Sequence, residues 1–287
     1  MLDQAVASFA SGQVPAFILL AVVAAGLVTG SFLNVCILRI PDGTFFRHHR
    51  SHCPACGAMI PWYLNIPLLG FAVLRGRARC CKARISWQYP LVEAATAVLF
   101  VIALWKFPFA EFAPAGHGTI LFDRGEALRF LHAILFCSLL LAASVIDFRL
   151  MIIPDVMSLG LVVTSPLVVA LHPELDWKSA LLGALLGAGL LYGVAWSYWL
   201  LRREVGMGFG DVKLLAGIGG WLGYQAIFPV VLIASVSGSL VGIGAMILKR
   251  KYHGRTAVPF GPFLAAGAMV DLLFSQQIRE FWIWMGL

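Results

Sequence analysis

Long apolar runs, separated by short polar segments, dominate the chain. A helix of about 20 apolar residues crosses the hydrocarbon core of a bilayer. The pattern therefore predicts an all-α polytopic membrane protein with about eight transmembrane helices, of which the sixth is the shortest. The predicted helices cover residues 15–37, 89–107, 128–146, 153–172, 178–201, 211–225, 227–248 and 258–276.

Composition agrees with this pattern. The chain has 287 residues, of which 60% are hydrophobic and 12% are charged, and its mean hydropathy is +0.88. Soluble domains carry about 25% charged residues, so this composition excludes an ordinary soluble domain. The first apolar run has no basic segment before it and no small-residue cleavage site after it. We therefore expect a retained helix and not a signal peptide.

The distribution of Lys and Arg predicts the orientation of the chain. Segment 38–88 holds eight basic residues against one acid, a balance of +7. Because cytoplasmic loops are enriched in Lys and Arg, eight spans with the N terminus outside place this segment in the cytoplasm. Such arginines attract anionic lipid, so we expect membrane lipid and no nucleic acid as a partner. The predicted parts are a first transmembrane helix at 1–37, a cytoplasmic cysteine-containing domain at 38–88 and a membrane core at 89–287.

The cytoplasmic segment contains a group of cysteines. A Cys-x-x-Cys motif at 53–56 is followed by the pair Cys80 and Cys81, a pattern typical of structural zinc sites. Zinc would supply folding energy to a segment too small for a core. Neighbouring cysteines do not easily reach one tetrahedral ion, and Ala78 stands where a second Cys-x-x-Cys would begin. The alternatives are a site of Cys53, Cys56, Cys80 and Cys81, a site in which His52 or His49 replaces Cys80, or a segment without metal.

Two aspartates stand at the edges of apolar runs. A carboxylate at a lipid boundary rarely persists without a task or a partner. Asp147 follows an apolar run, at a helix end where the macrodipole opposes a negative charge, whereas Asp211 precedes one, where the dipole favours it. Asp211 could therefore also be a simple N-cap. If the two face each other, they form the pair that acid–base hydrolysis of a peptide bond requires. The predicted topology places both at cytoplasmic helix ends.

Other residues beside the aspartates are candidates for supporting roles. Gly208 and Gly210 lie just before Asp211, and glycines permit close approach and unusual backbone angles. Asp155 follows a proline that should start or stop a helix, so we expect it at the opening of the next span. Lys213 lies two residues after Asp211.

Several stretches, in order over essentially the whole chain, resemble the type IV prepilin peptidases, bacterial membrane aspartic proteases that process prepilins and type II secretion pseudopilins. The Gly-x-Gly-Asp element alone would be a weak signal, but the ordered series is far more specific. The matching stretches are residues 30–35, 39, 41, 51–56, 65–67, 74–76, 85–93, 147–155 and 208–214.

The resemblance implies that Asp147 and Asp211 form a catalytic dyad at the cytoplasmic face of the bacterial inner membrane. One would activate a water and the other would protonate the leaving amine. The implied substrates are prepilins and pseudopilins with a basic leader, a Gly and a hydrophobic helix. Family members with the cysteine domain also methylate the new N terminus, which implies S-adenosylmethionine as a cofactor. The family carries two Cys-x-x-Cys elements, and Ala78 departs from the second.

Two other classes of function are compatible with aspartates at a lipid boundary. A transporter or proton relay would use Asp147 and Asp211 to carry ions, but no repeat of the kind found in many transporters is visible between the halves of the sequence. A non-catalytic scaffold with a basic insert would leave both carboxylates without a task. The sequence therefore favours a peptidase with N-methyltransferase activity, with a transporter or proton relay as the alternative.

Overall fold

The computed structural model describes residues 14–45, 51–112, 120–172, 175–204, 206–248 and 258–284. Each of the eight apolar runs forms a helix, and one short further helix lies in segment 38–88. The helices are α1 (Ala16–Arg39), α2 (Leu69–Val73), α3 (Gln88–Lys106), α4 (Arg124–Leu150), α5 (Asp155–Leu171), α6 (Trp177–Arg202), α7 (Phe209–Leu222), α8 (Ile227–Leu248) and α9 (Gly261–Trp284), with 3₁₀ turns at Trp62–Asn65 and Tyr224–Ala226.

Five segments among the described residues are long and apolar enough to cross a membrane. They are α1, α3, α4, α6 and the segment Tyr224–Gly244, which includes most of α8. Large apolar side chains on these and neighbouring helices face outward, since Leu20, Val163 and Leu240 are 68%, 75% and 67% exposed. Soluble proteins rarely expose so much apolar surface, whereas lipid would cover it. A helical, multi-pass membrane protein is therefore confirmed.

The number of eight spans stays a prediction. Helix α5 has 17 residues and α7 has 14. At 1.5 Å per residue, a 14-residue helix is about 21 Å long, which is shorter than the hydrocarbon core of about 30 Å. Helix α9 has 24 residues, but Phe274 interrupts its helical geometry. Each apolar run thus correctly predicted a helix, but not every such helix is long enough to cross the membrane by itself.

One small sheet departs from the all-α prediction. Strands β1 (Ala110–Phe112) and β2 (Ile120–Phe122) pair antiparallel, with Glu111 opposite Leu121. Both strands lie in the loop predicted at 108–127, and each contains aromatic or β-branched side chains, which favour strands. The sequence analysis missed them because a three-residue strand is too short to show an alternating pattern.

The chain divides into two compact units, residues 1–142 and residues 143–287. In the first unit α1 packs closely along α3. A Cβ atom at Gly26 would lie 2.6 Å from the Cα of Ala97, and one at Gly30 would lie 2.6 Å from the Cα of Glu93. Small residues let helix backbones approach in this way. The division into 1–37, 38–88 and 89–287 follows the predicted membrane boundaries and stays a prediction.

In the second unit, α7 is the most enclosed helix, with ten of its 14 residues buried. A Cβ at Gly217 would lie 2.6 Å from the Cβ of Leu161 on α5, and one at Gly187 on α6 would lie 2.5 Å from the carbonyl oxygen of Leu215. The indole N–H of Trp221 donates to the carbonyl of Leu161 over 2.8 Å. Close packing against α5 and α6 therefore fixes the position of α7.

Candidate active site

Asp147 lies in the last turn of α4 and is only 5% exposed. The helix ends at Leu150, and the N–H of Met151, which has a φ of +56°, donates to the carbonyl of Asp147 over 2.8 Å. The side-chain Oδ2 of Asp147 accepts a hydrogen bond of 3.1 Å from the backbone N–H of Gly261. Gly261 is the first residue of α9. The carboxylate at the unfavourable end of α4 thus receives a donor from the favourable end of α9.

Asp211 lies in the first turn of α7 and is 8% exposed. Gly208 is the N-cap of this helix, and its carbonyl accepts the N–H of Asp211 over 3.2 Å. Asp211 is therefore the third helical residue, and its interpretation as a simple N-cap is wrong. An acid in the first turn of a helix is stabilised by the macrodipole, which agrees with the sequence analysis.

The structure brings Asp147 and Asp211 together in the second unit, close enough for their carboxyl groups to interact electrostatically. Ile153, in the turn between α4 and α5, lies against the first residues of both α7 and α9. A Cβ at Gly210 would lie 3.1 Å from the Cβ of Ile153, and a Cβ at Gly261 would lie 2.9 Å from its Cδ1. The C-terminal end of α4 and the N-terminal ends of α7 and α9 therefore converge on the two acids.

The two glycines before Asp211 differ from each other. Neither has a positive φ, so the expectation of unusual backbone angles is wrong. A Cβ at Gly210 would press on Ile153, as expected for a close approach. A Cβ at Gly208 would lie 3.9 Å from the nearest nitrogen and 4.0 Å from Oδ2 of Asp211, which is ordinary contact. The close approach therefore applies to Gly210 alone, and a Cβ at Gly208 would fit beside the carboxylate without a clash.

Asp155 and Lys213 form an ion pair, with the Nζ of Lys213 2.6 Å from Oδ1 of Asp155. Asp155 is the first residue of α5, as predicted. The pair links the beginnings of α5 and α7 at the surface, since the two side chains are 63% and 33% exposed. The ammonium group of Lys213 on α7 therefore pairs with Asp155 at the start of the neighbouring helix α5.

Sequence reasoning missed Gly261. It lies at the start of the last apolar run, directly before Pro262, and its partner Asp147 is 114 positions away in the chain. A Gly-Pro pair at the start of a helix is a local signal that could have singled it out. Nothing in the local sequence indicates which side chain its N–H would meet.

Four thiols form a second cluster, in the first unit. The Sγ atoms of Cys53, Cys56, Cys80 and Cys81 all lie within 4.8 Å of one another. Individual Sγ–Sγ distances are 3.7 Å between Cys53 and Cys81, 3.2 Å between Cys56 and Cys80, and 3.9 Å between Cys80 and Cys81. A disulfide would need about 2.05 Å. The neighbouring cysteines therefore do reach one point, contrary to expectation.

The cluster fits a tetrahedral metal. Zn–S bonds of about 2.3 Å in a tetrahedron place the sulfurs about 3.8 Å apart, close to the observed distances. His52 does not belong to this group of described residues, so it is not needed as a ligand, and His49 lies outside the described residues. Of the three alternatives, the geometry favours the site of four cysteines.

Two turns of the same design hold the thiols. In the turn 53–58, the N–H of Cys53 donates to Ala58 and the N–H of Gly57 donates to Cys53, both over 2.8 Å. The turn 78–83 repeats these bonds 25 positions later, from Ala78 to Ala83 and from Lys82 to Ala78, over 2.8 and 2.9 Å. Flanking bridges join residues 52 with 59 and 77 with 84. Ala78 thus occupies the place of Cys53, and Cys80 supplies the missing thiol from within the second turn.

The thiols differ in acidity. Backbone N–H groups of Ala55 and Cys56 donate to the sulfur of Cys53 and lower the pKa of this thiol to about 7. Hydrogen bonding with Cys56, the largest cause, together with burial raises the pKa of Cys80 to about 12. Thiolates this close repel one another, so all four lose their protons together only beside a cation. The repulsion among four thiolates and the spacing of their sulfurs thus both favour a bound cation.

Two family models match the chain. One, the bacterial peptidase A24 N-terminal domain, matches residues 24–107. The other, the type IV leader peptidase family, matches residues 134–243. A relative from Aeromonas hydrophila named prepilin leader peptidase/N-methyltransferase is 36% identical over 282 residues, which cover 90% of this chain and 91% of the relative. The chain belongs to the type IV leader peptidase family.

Two other relatives of this chain are also named prepilin leader peptidase/N-methyltransferase. One from Burkholderia pseudomallei (strain K96243) is 35% identical over 275 residues, which cover 87% of this chain and 83% of the relative. One from Xanthomonas campestris pv. campestris is 34% identical over 278 residues, with 89% and 91% covered. No solved structure gives a significant match.

The ranges that the two family models match contain both the thiol cluster and the pair of aspartates. Residues 24–107 include the four thiols, and residues 134–243 include Asp147 and Asp211. Gly261 lies beyond the second matched range. The predicted resemblance to the family is thus confirmed, while the roles of individual residues stay predictions.

The relatives' names include an N-methyltransferase, which implies S-adenosylmethionine as the methyl donor. A cavity of about 340 Å³ lies in the first unit, lined only by apolar side chains, among them Phe17, Phe100 and Phe130. It offers no polar group to the charged sulfonium, amino and carboxylate groups of this cofactor, and burying such charges without partners is strongly unfavourable. The cavity therefore does not fit the methyl donor.

Proposed function

We propose that this chain is a prepilin peptidase of the bacterial inner membrane in which Asp147 and Asp211 form the catalytic dyad. The observation that carries the proposal is the meeting of two buried carboxyl groups, 5% and 8% exposed, from two different helix ends. Two acids held together in a protein interior are typical of active sites. The names of the relatives support the choice of substrate.

The dyad performs general acid–base hydrolysis. One carboxylate takes a proton from a water whose oxygen attacks the scissile carbonyl, and the other carboxyl donates its proton to the leaving amine. The products are a carboxylate and an amine, so one water is consumed and the protons balance. In this mechanism the pair holds one proton, because like charges side by side disfavour the doubly ionised state. A pair in that state supplies one base and one acid.

The orientation of the chain supports cleavage at the cytoplasmic face. Segment 38–88 carries a balance of +7, which favours a cytoplasmic position. The substrate class that fits is a prepilin or pseudopilin with a basic leader, a Gly and an apolar helix, because the leader stays in the cytoplasm while the helix enters the bilayer. Asp155, Lys213, Gly208 and Gly210 then support the dyad by fixing the start of α7 and its contact with Ile153.

The test compares three aspartates in membranes that contain a purified prepilin. We expect Asp147→Asn and Asp211→Asn each to abolish cleavage while the protein remains folded and inserted. Asp271→Asn is the matched control, because Asp271 is 7% exposed and lies ten residues, about 15 Å, from Gly261 along α9. We expect this control to cleave at the wild-type rate. Retained cleavage by either dyad variant would remove that residue from the catalytic role, and the transporter alternative predicts that outcome for both.

The thiol cluster supports a structural zinc ion, held by Cys53, Cys56, Cys80 and Cys81, that stabilises segment 38–88. Elemental analysis of purified, folded protein should show about one zinc per chain. Folded protein without zinc would contradict the assignment.

N-methylation of the new N terminus is proposed from the relatives' names, with S-adenosylmethionine as the methyl donor. Mass spectrometry of pilin processed in its presence should show one added methyl group. An unmodified terminus would argue against the second activity.

A further inference from the structure

Gly261 makes the only hydrogen bond that the described residues show to the side chain of Asp147, a buried contact of 3.1 Å from its N–H to Oδ2. The first N–H groups of a helix have no partner within the helix. In α9 the N–H groups of Phe263 and Leu264 both donate to the carbonyl of Phe260, and Pro262 has no N–H. The N–H of Gly261 is therefore the donor that this helix start offers to the acid.

The absence of a side chain at Gly261 leaves the space that Asp147 occupies. A Cβ at this position would lie 2.6 Å from Oδ2 and 3.3 Å from Cγ of Asp147. Contacts of that length are repulsive, so the carboxyl group would have to move. The nearby Cδ1 of Ile153, at 2.9 Å, is the end of a side chain that can rotate away.

The backbone gives no other reason for a glycine here. Gly261 is not among the residues with a positive φ, so a side chain would be compatible with its backbone conformation. The requirement for glycine comes from the carboxyl group of Asp147 and not from the turn before α9.

We propose that Gly261 is a positioning residue of the dyad, whose N–H fixes one oxygen of Asp147 and whose missing side chain admits the carboxyl group. The inference rests on the proposed function, in which Asp147 belongs to the dyad. Gly261 acts through Asp147 and does not itself react. It lies outside the range of the chain that the peptidase family model matches, which ends at residue 243.

Gly261→Ala should act on the chemical step. Displacement of a catalytic group by about 1 Å lowers the rate by about 100-fold, so we expect kcat to fall by about that factor. In the proposed mechanism the carboxyl group of Asp147 acts in the chemical step and not in binding the leader or the apolar helix, so KM should change by no more than about twofold. Cleavage of a purified prepilin by detergent-solubilised enzyme gives both constants.

Gly267→Ala is the matched control on the same helix. Its Cβ would lie 2.7 Å from the backbone carbonyl oxygen of Val230 on α8, so it disturbs the packing of α9 at least as much as Gly261→Ala, and its nearest contacts do not include Asp147. We expect this variant to lower the unfolding temperature and to keep kcat. An equal loss of kcat in both variants, or a wild-type kcat in Gly261→Ala, would overturn the proposal.

A double-mutant cycle in unfolding temperature tests the contact itself, without any need for cleavage. Gly261→Ala should lower the unfolding temperature of the wild type, whereas in Asp147→Ala, which lacks the carboxyl group, the same change should have little effect. Equal destabilisation in the two backgrounds would show that the clash is not with Asp147 and would overturn the proposal. If the wild-type enzyme cleaved no prepilin, the proposed function would be wrong. The double-mutant cycle would still show whether residue 261 and the carboxyl group of Asp147 interact.

Discussion

The position of the fourth thiol leads to a test of the metal site. In the turn 53–58 the first proposed ligand is Cys53, and the matching place in the turn 78–83 holds Ala78, with the same backbone hydrogen bonds. We expect Cys80→Ala to remove one of four ligands, and Ala78→Cys in the same chain to return a thiol to the place that the repeated turn provides. The double variant Ala78→Cys/Cys80→Ala should therefore bind zinc again.

The expected magnitude follows from the ligand geometry. Loss of a partner that only orients a ligand weakens metal binding by about 10–100-fold, so loss of a direct ligand should weaken it by about 100-fold or more. The Sγ–Sγ distances of 3.2–3.9 Å that involve Cys80 lie on both sides of the tetrahedral edge of about 3.8 Å. A thiol at position 78 shares the geometry of Cys53, so we expect the double variant to come within about tenfold of wild type.

Competition for zinc between the full-length protein and a coloured chelator measures these affinities. Ala72→Cys/Cys80→Ala is the matched control, because Ala72 is exposed in α2 and adds a thiol outside both turns. Cys36→Ala controls for the loss of a thiol, since Cys36 is buried in α1. If Ala78→Cys binds no tighter than Ala72→Cys in the Cys80→Ala chain, the equivalence of the two turns is refuted.

Two further predictions concern single contacts. Glu93, which is 7% exposed, accepts the N–H of Leu68 over 2.8 Å in a half-buried hydrogen bond. Glu93→Ala removes this acceptor and should lower the free energy of unfolding by about 0.5–1.5 kcal/mol. Unchanged denaturation midpoints would contradict this. The exposed ion pair of Lys213 and Asp155 should contribute only about 0–1 kcal/mol to the free energy of unfolding. We therefore expect Lys213→Met to keep the fold and to change the cleavage rate little. A loss of cleavage as large as that of Asp211→Asn would show a direct role for the lysine.

The aspartates could be found from the sequence because charged residues are rare in this chain. Only 12% of residues are charged, so an acid beside an apolar run is conspicuous. The helix ends that carry Asp147 and Asp211 were also predictable, from the boundaries of the runs and the proline before Asp155. Their meeting depends on the packing of α5, α6 and α7, which the local sequence does not encode.

The contact of Gly261 and the second turn of the thiol cluster could not be predicted by the same reasoning. The partner of a backbone N–H has no signal in the local sequence. The N–H of Gly261 meets Asp147 because of the direction in which α9 starts. Cys80 was predicted as one of several alternative ligands, because the Cys-x-x-Cys spacing gave no reason to prefer it to a histidine. Residues 51–60 and 76–85 share identical residues at their sixth, eighth and tenth places, and that weak repeat was the signal that could have revealed a second turn.

The arrangement of helix ends explains how two acids persist beside apolar runs. The N-terminal ends of α7 and α9 both approach the pair, and each such end contributes about 0.3–1 kcal/mol, or about 2 kcal/mol at most, toward an anion. Burying an ion costs several kcal/mol even after the protein relaxes. The helix ends together with the N–H of Gly261 can therefore offset one negative charge and not two. The proposed hydrolysis of a peptide bond requires one charge and one proton, which is the state that these helix ends favour.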